Sequence, residues 1–329
     1  MTLIINVTTP DGIVMASDSR QTQRNNKQIT RISTNSAYKL FEVDNRIIIG
    51  TAGLAFFADK TGIQKNVSTY IKDYCNKTDL ENLTVEDIAV GIHEYTNDNY
   101  PWEQQLDMSA QQLKMDAERN GAEVLSIEKI NDSVEFRIKQ PSGKIEKGHL
   151  NIEPVNLLIS GYNKDGTSET YEIRSPGRID KKRGNNEYGS TWVGQGDLVS
   201  RMILGYDGKM LNLPLFQKTL STVPQEEVLR QLRGIEYNIP WGLLTLQDGV
   251  DIAVFLIKAT AMIQRYADGV NMDNGDIQGV GGPVDVATIT KENGIQWVKQ
   301  KQITYPEFWT QHKFQLHPFF ENSFIYLVK

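Results

Sequence analysis

Thr2-Leu3-Ile4-Ile5-Asn6-Val7-Thr8-Thr9-Pro10-Asp11-Gly12-Ile13-Val14-Met15-Ala16-Ser17-Asp18-Ser19-Arg20 is the stretch that decides how this chain folds. Two runs of strand length flank Pro10-Asp11-Gly12, a turn signal, so the segment reads as a β-hairpin. The returning strand ends on an Asp-x-Arg pair, which the hairpin carries back beside the chain's start. Removal of Met1 would leave Thr2 with a free α-amine next to that pair. A hydroxyl and an amine on one residue form a nucleophile with its own base.

The chain of 329 residues is long enough for one large domain or two ordinary ones, with a substantial core. An apolar fraction of 39% and a charged fraction of 23% are those of a soluble globular protein. The net charge of −6, with no basic block, argues against tracking a phosphate backbone. The single cysteine, Cys75, rules out an internal disulfide framework and fits a reducing compartment. No apolar stretch approaches the ~20 residues of a membrane span. The start of the chain lacks a basic region and carries Asp11 early, unlike a secretory signal, so the expected location is cytoplasmic.

Working outward from the hairpin, the polar stretch 21–35 reads as an extended loop or edge ribbon. Tyr38 to Phe41 begins a second hairpin, turned at Asp44-Asn45, with Arg46 to Ile49 as return strand and Gly50-Thr51-Ala52-Gly53 at its end. From Ala55 the spacing of Phe56, Ile63, Val67, Tyr70 and Ile71 predicts a helix ending near Asn76. Thr84 with Asp87 forms a capping box for a second helix whose apolar face carries Ile88, Val90, Ile92 and Tyr95. Residues 101–153 read as an added lobe, with a helix over 108–120 and strands at 124–127 and 134–138.

The core pattern resumes with a strand at 155–162, a turn at Asn163-Lys164-Asp165-Gly166, and a partner strand at 169–174. Val193 to Asp197 opens a helix to about Leu204, and the proline-rich 205–245 reads as a second insertion. Leu246 to Ala267 is the strongest helix, with Val250, Val254, Ile257, Ala261 and Ile263-Gln264 at helical spacing. A hairpin over 284–299 turns at Asn293-Gly294, and an aromatic extension covers about 301–329. Two sheets that must each cover an apolar face, with helices outside them, predict an α+β fold. Its expected form is a four-layer α-β-β-α sandwich in a single domain over 1–329.

Thr2, the run Ser17-Asp18-Ser19-Arg20-Gln21-Thr22, Lys39-Leu40-Phe41 and Thr51-Ala52-Gly53 are four anchors whose spacing resembles the proteasome-type β-subunits of the N-terminal-nucleophile (Ntn) hydrolases. The resemblance implies a threonine-type peptidase with Thr2 Oγ as nucleophile and the Thr2 amine as base. By the same resemblance Lys39 lowers the pKa of both groups, Asp18 orients Lys39, and Arg20 holds the Asp18 region. The Gly53 N–H takes the oxyanion, Asp276 orients the terminus, and Thr22 binds an extended peptide as an added strand. Ala37, Thr51 and Ala55 line a small-walled first specificity pocket. The family implies a peptide or protein substrate, no metal or cofactor, a homo-oligomeric ring and an ATP-dependent unfoldase as partner.

Two departures accompany these matches. Gly194-Gln195-Gly196 stands where the family places a serine between glycines, and Asp276-Ile277-Gln278-Gly279, then Val280, stands where the family has an Asp followed three residues later by Ser-Gly. Their loss supports the alternatives of a catalytically inactive structural or binding subunit, or an Ntn amidase acting on a small molecule. His93, His149, His312 and His317 are scattered, with no spacing that suits zinc. The Gly279 to Gly282 run lacks the Lys-Ser/Thr and helix of a phosphate loop, Cys75 has no paired base, and Arg178 to Arg183 reads as a solvated loop.

Overall fold

The computed structural model describes residues 2–24, 30–268 and 277–303, which form a mixed α+β fold built on antiparallel sheets. One five-stranded sheet has the order Gly189–Gly194, Leu3–Thr9, Gly12–Ser17, Asp285–Thr290, Gly294–Lys299. The other has the order Ile179–Arg183, Ser168–Ser175, Val155–Tyr162, Ile47–Gly53, Leu40–Val43. The opening hairpin lies at the centre of the first sheet, and the second hairpin closes one edge of the other. Val43 pairs with Ile47 across a three-residue turn, and its residues Asp44 and Asn45 have φ of 53° and 48°, the left-handed region that Asp and Asn tolerate best.

Every residue of Leu3–Thr9 is buried, which explains an apolar run too continuous for a strand with one wet face. Alternation sends successive side chains to opposite faces. Leu3, Ile5 and Val7 pack with Val250, Ala253, Leu256 and Ile257 of the helix Leu246–Tyr266. Ile4 points the other way and joins Ile13, Met15, Ile48, Leu158 and Ile289 in a cluster shared by the two sheets. On its far face the second sheet buries Ile47, Ile49, Leu157 and Ile173 against Tyr70, Ile71, Ile88 and Ile92 of the helices Val67–Lys77 and Val85–Asn99.

The helices Val85–Asn99 and Leu246–Tyr266 each begin on a reciprocal capping box, Thr84 with Asp87 and Thr245 with Asp248, which meets part of their orphan N–H groups locally. Several sequence expectations are corrected. Residues 55–66 are not helical: Phe56–Ala58 pairs with Gln64–Asn66 as a small hairpin, and the helix starts only at Val67, capped by Asn66. Phe56 and Ile63, which supplied the helical spacing, are exposed at 39% and 57%, so that periodicity did not mark a buried face. Val90 and Ile263 likewise point outward, the apolar faces being carried by Val85, Ile88, Ala89 and Ile92, and by Val250, Ala253, Leu256 and Ile257.

Residues 102–151 contain the helix Trp102–Arg119 and a three-stranded sheet, one strand more than expected. The extra strand, Ile145–Asn151, carries three charged residues or histidine among mostly exposed positions and lacks an apolar face of its own. Within 205–245 lie three short helices, Gly208–Leu211, Pro214–Leu220 and Gln225–Leu232. The aromatic tail from 304 and the segment 269–276 lie outside the described residues. Among the described residues no helix is long and apolar enough to cross a membrane.

Ile48 is fully buried between the sheets. Ile48→Ala is expected to lower the unfolding free energy by about 2–5 kcal/mol, the range for deleting that much buried aliphatic volume. Urea unfolding monitored by circular dichroism measures it, and a loss under about 1 kcal/mol would contradict this placement.

Candidate active site

Asp18 is fully buried just past the end of the strand Gly12–Ser17, and its carboxylate is saturated with donors. Oδ1 accepts from the Leu3 N–H at 3.0 Å and from Lys39 Nζ at 2.7 Å. Oδ2 accepts from the Arg20 N–H at 3.1 Å and from the Gly281 N–H at 3.0 Å. A buried carboxylate is tolerable only with such compensation. One oxygen therefore joins the Lys39 ammonium to the amide that follows Thr2.

Lys39 is itself 4% exposed and donates a second hydrogen bond to the Arg20 carbonyl at 2.6 Å. Its backbone is pinned on both flanks: the Thr51 N–H donates to the Lys39 carbonyl at 2.9 Å, and the Ala37 N–H donates to the Ser19 carbonyl at 3.0 Å. The Ser19 N–H in turn donates to the Gly281 carbonyl at 3.0 Å, so three distant segments run side by side here. Burial holds the Lys39 amine below the ordinary lysine range. The Asp18 carboxylate opposes that shift, and the positive charges of Lys301 and Arg20 add to it.

Thr2, Lys39 and Gly53 line one cavity of about 540 Å³, together with Thr22, Ala37, Thr51 and Ala55. Gln21, Gln23, Gln64, Asn66, Phe56 and Glu153 complete much of its wall. Gly53 has φ of +72°, and a Cβ there would lie 2.3 Å from the Pro154 carbonyl oxygen, so glycine is required. Gly194 has φ of +94°, and a Cβ there would lie 2.0 Å from the Thr2 carbonyl oxygen. That close approach lets the Gln195 N–H donate to the same oxygen at 2.7 Å, fixing the backbone of Thr2.

Arg20 meets the Asp18 region through its backbone. Its guanidinium donates to Asn35 Oδ1 at 2.8 Å and Gln278 Oε1 at 2.6 Å, while only its backbone meets Asp18 and Lys39. Gln278 also donates to the Ala261 carbonyl at 2.6 Å. Gln264 accepts from the Gly279 and Val280 N–H groups at 3.0 and 2.8 Å and donates to Gln195 Oε1 at 2.9 Å. Three glutamines thus brace the positions where serines were sought. Asp276 lies outside the described residues.

Sequence reasoning did not single out Gln264, Gly281, Asn35, Glu153, Asp285 or Lys301, whose neighbours at the site are remote in the chain and carry no local motif. The described histidines stand apart: His93 contacts the Gly177 carbonyl and Asn97, and His149 lies on a strand of the 102–151 lobe. Burial pushes the Cys75 thiol up, away from a reactive thiolate. Among the described residues no group of three or more His, Cys, Asp or Glu side chains is placed to hold a metal ion.

No protein-family model and no curated protein matches the chain. Solved structures similar to it include Anbu (ancestral beta-subunit) from Yersinia bercovieri, at 13% identity and a TM-score of 0.42, covering 91% of this chain and 88% of that one. Anbu from Hyphomicrobium sp. strain MC1 is similar at 10% identity and a TM-score of 0.44, covering 92% and 87%. A Gly-1 mutant of Anbu from the same strain is similar at 12% identity and 0.43, covering 92% and 88%. These findings correct the expected membership of the proteasome-type β-subunit family. Four short anchors do not place the chain there when no family model matches and the similar structures share so little sequence.

Asp18→Ala would strand a buried ammonium and leave three backbone N–H groups without their acceptor. It is expected to cost about 3–5 kcal/mol of stability, the scale for breaking a buried ion pair from one side. Denaturant unfolding of the variant beside the parent measures the loss.

Proposed function

We propose that the chain is a threonine-type N-terminal-nucleophile hydrolase that cleaves peptide (amide) bonds, with Thr2 as nucleophile once Met1 is removed. The observation that carries this is the shared acceptor: Asp18 Oδ1 takes both the Lys39 ammonium and the amide of Leu3, the residue after Thr2. A fixed positive charge is thereby tied to the start of the chain, in the wall of a cavity large enough for part of a peptide.

The steps follow from those groups. An α-amine has a pKa of roughly 7.7–8, and a cation beside it favours the neutral form, so it can accept a proton near pH 7. The Thr2 amine takes the hydroxyl proton as Oγ adds to the substrate carbonyl. The resulting oxyanion is met by the Gly53 N–H, and the amine's proton passes to the departing nitrogen as the C–N bond breaks. Water, deprotonated by the same amine, then cleaves the ester on Thr2. Lys39 keeps its proton and acts through its charge, with Asp18 and the Arg20 carbonyl holding it in place.

The substrate is an extended chain. Thr22 stands on the two-stranded ribbon of Gln21–Arg24 and Thr30–Thr34 at the cavity wall, where a peptide could add as a further strand. Ala37, Thr51 and Ala55 leave room for its side chain, among wall residues that are mostly amides and hydroxyls. A single domain in four α-β-β-α layers belongs to the same proposal, supported by three apolar clusters that alternate with the sheets. A cytoplasmic site is proposed from the single cysteine.

One observation favours an idle binding protein instead: Gln195 and Gly279 occupy positions where serine hydroxyls were expected, and both are bonded to Gln264, which donates to Gln195 Oε1 and accepts from the Gly279 N–H. Intact mass of the purified protein separates the two. A chain beginning at Thr2 that gains one β-lactone adduct, absent in Thr2→Ala, is the expected result, with Lys39→Ala slowing labelling by roughly 10²-fold or more. A chain that keeps Met1 and takes no adduct would sink the hydrolase.

A further inference from the structure

A second buried lysine stands behind the first. Lys301 lies two residues past the strand Gly294–Lys299, with its side chain only 5% exposed. Its ammonium pairs with one oxygen of the Asp285 carboxylate, and its own N–H donates to the other at 2.8 Å. Asp285, 1% exposed, opens the strand Asp285–Thr290 directly opposite Ser17, the residue before Asp18. On its other side the Lys301 ammonium sits 4.4 Å from the centre of the Tyr38 ring, and the Tyr38 hydroxyl donates to the Lys301 carbonyl at 3.4 Å. Tyr38 is the residue before Lys39.

Lys301 therefore reaches both members of the Asp18–Lys39 pair through their immediate neighbours. Folding alone gives little reason for this arrangement. Burying an ion pair costs desolvation that its attraction often fails to recover, and an apolar pair of the same size would commonly serve as well. What an apolar pair cannot provide is a positive charge. Among the described residues the charged groups that act on Lys39 are Asp18, Arg20 and Lys301, with Asp18 the one carboxylate bonded to it; Asp285 is taken up by Lys301, and Glu153 lies elsewhere in the wall of the same cavity.

We propose that Lys301 is a positioning residue of the Thr2 site: anchored by Asp285 and Tyr38, it seats Lys39 on Asp18 and adds a second positive charge to the potential felt by the Thr2 amine. Its kinetic consequence rests on the hydrolase reading, while its effect on Lys39 does not. Repulsion from Lys301 already helps to hold Lys39 below the usual lysine range. The same potential disfavours the protonated amine of Thr2, so the amine becomes an effective base at lower pH.

Lys301→Gln with Asp285→Asn replaces the ion pair by a neutral hydrogen-bonded pair and leaves no stranded charge. Lys301→Arg preserves the charge. In the neutral double variant the acid limb of kcat/KM is expected to move up by about half a pH unit, and the Arg variant to keep it in place. A role confined to packing would lower the rate without moving that limb. Titration of Lys39, followed by NMR of ¹³Cε-labelled lysine and assigned with Lys39→Arg, is expected to shift upward in the double variant. Unchanged titration and an unmoved limb in folded double variant would overturn the proposal. A parent protein without activity or adduct would refute the hydrolase alone, because the Lys39 titration would still decide the role of Lys301.

Discussion

The Asp18 carboxylate is the point on which this architecture depends. Its two oxygens gather three backbone N–H groups and one ammonium from residues 3, 20, 39 and 281, which no stretch of regular structure would bring together. Charge-assisted hydrogen bonds in a dry site are strong when complete and costly when one partner is missing. The first hairpin, the segment before the second hairpin and the turn before Asp285 are consequently held as one unit. Lys39 leads into the strand Leu40–Val43 of the second sheet and Asp18 follows the strand Gly12–Ser17 of the first, so the bond between them also sets how the two sheets meet at this end.

Between the sheets the chain uses a different device. Ile4, Met15, Ile48 and Leu158 fill the interior with aliphatic groups that could pack in more than one register. Asn6 breaks that degeneracy. Fully buried, it donates from Nδ2 to Ser160 Oγ at 3.3 Å across the sheets, and Ser160 shares a further hydrogen bond with Thr170 at 2.7 Å. A slip by one residue would turn Asn6 out of reach of that partner and leave buried polar atoms without bonds. Polar contacts thus fix the alignment at the centre and at the end, while the apolar clusters supply the driving force for burial.

Much of this was legible because the decisive signals were local. Pro10-Asp11-Gly12 and Asp44-Asn45 mark the hairpins, and Thr84 with Asp87 marks a helix start through a cap that needs only a few residues. The strand at 155–162 was visible from Val155, Leu157, Leu158 and Ile159, a short apolar group closed by the turn at 163–166. Residues 55–66 misled because Phe56 and Ile63 happen to fall at helical spacing while lying in an exposed hairpin, where tertiary position overrides pattern. The candidate site was legible at Thr2, Asp18, Lys39 and Gly53, which the hairpins bring together. Its support was not. Arg20 finds Gln278 across 258 positions and Gln264 reaches Gln195 across 69, contacts that leave no periodic trace in a single sequence.

Those glutamines bear on the chemistry in one further way. A carboxamide donates and accepts at once, which is why Gln264 can brace Gln195 on one side and two backbone N–H groups on the other. A serine hydroxyl can do that and also pass a proton along, since it releases one hydrogen as it receives another. An amide at neutral pH cannot. In the proposed hydrolysis the proton from Thr2 Oγ therefore goes to the amine of the same residue. The rate then follows the neutral fraction of that amine, and the electrostatics of the site become a matter of positive charge nearby. Lys39, held on Asp18 with its ammonium hidden from water, is placed to set that fraction, and the depth of its burial keeps solvent from screening its effect.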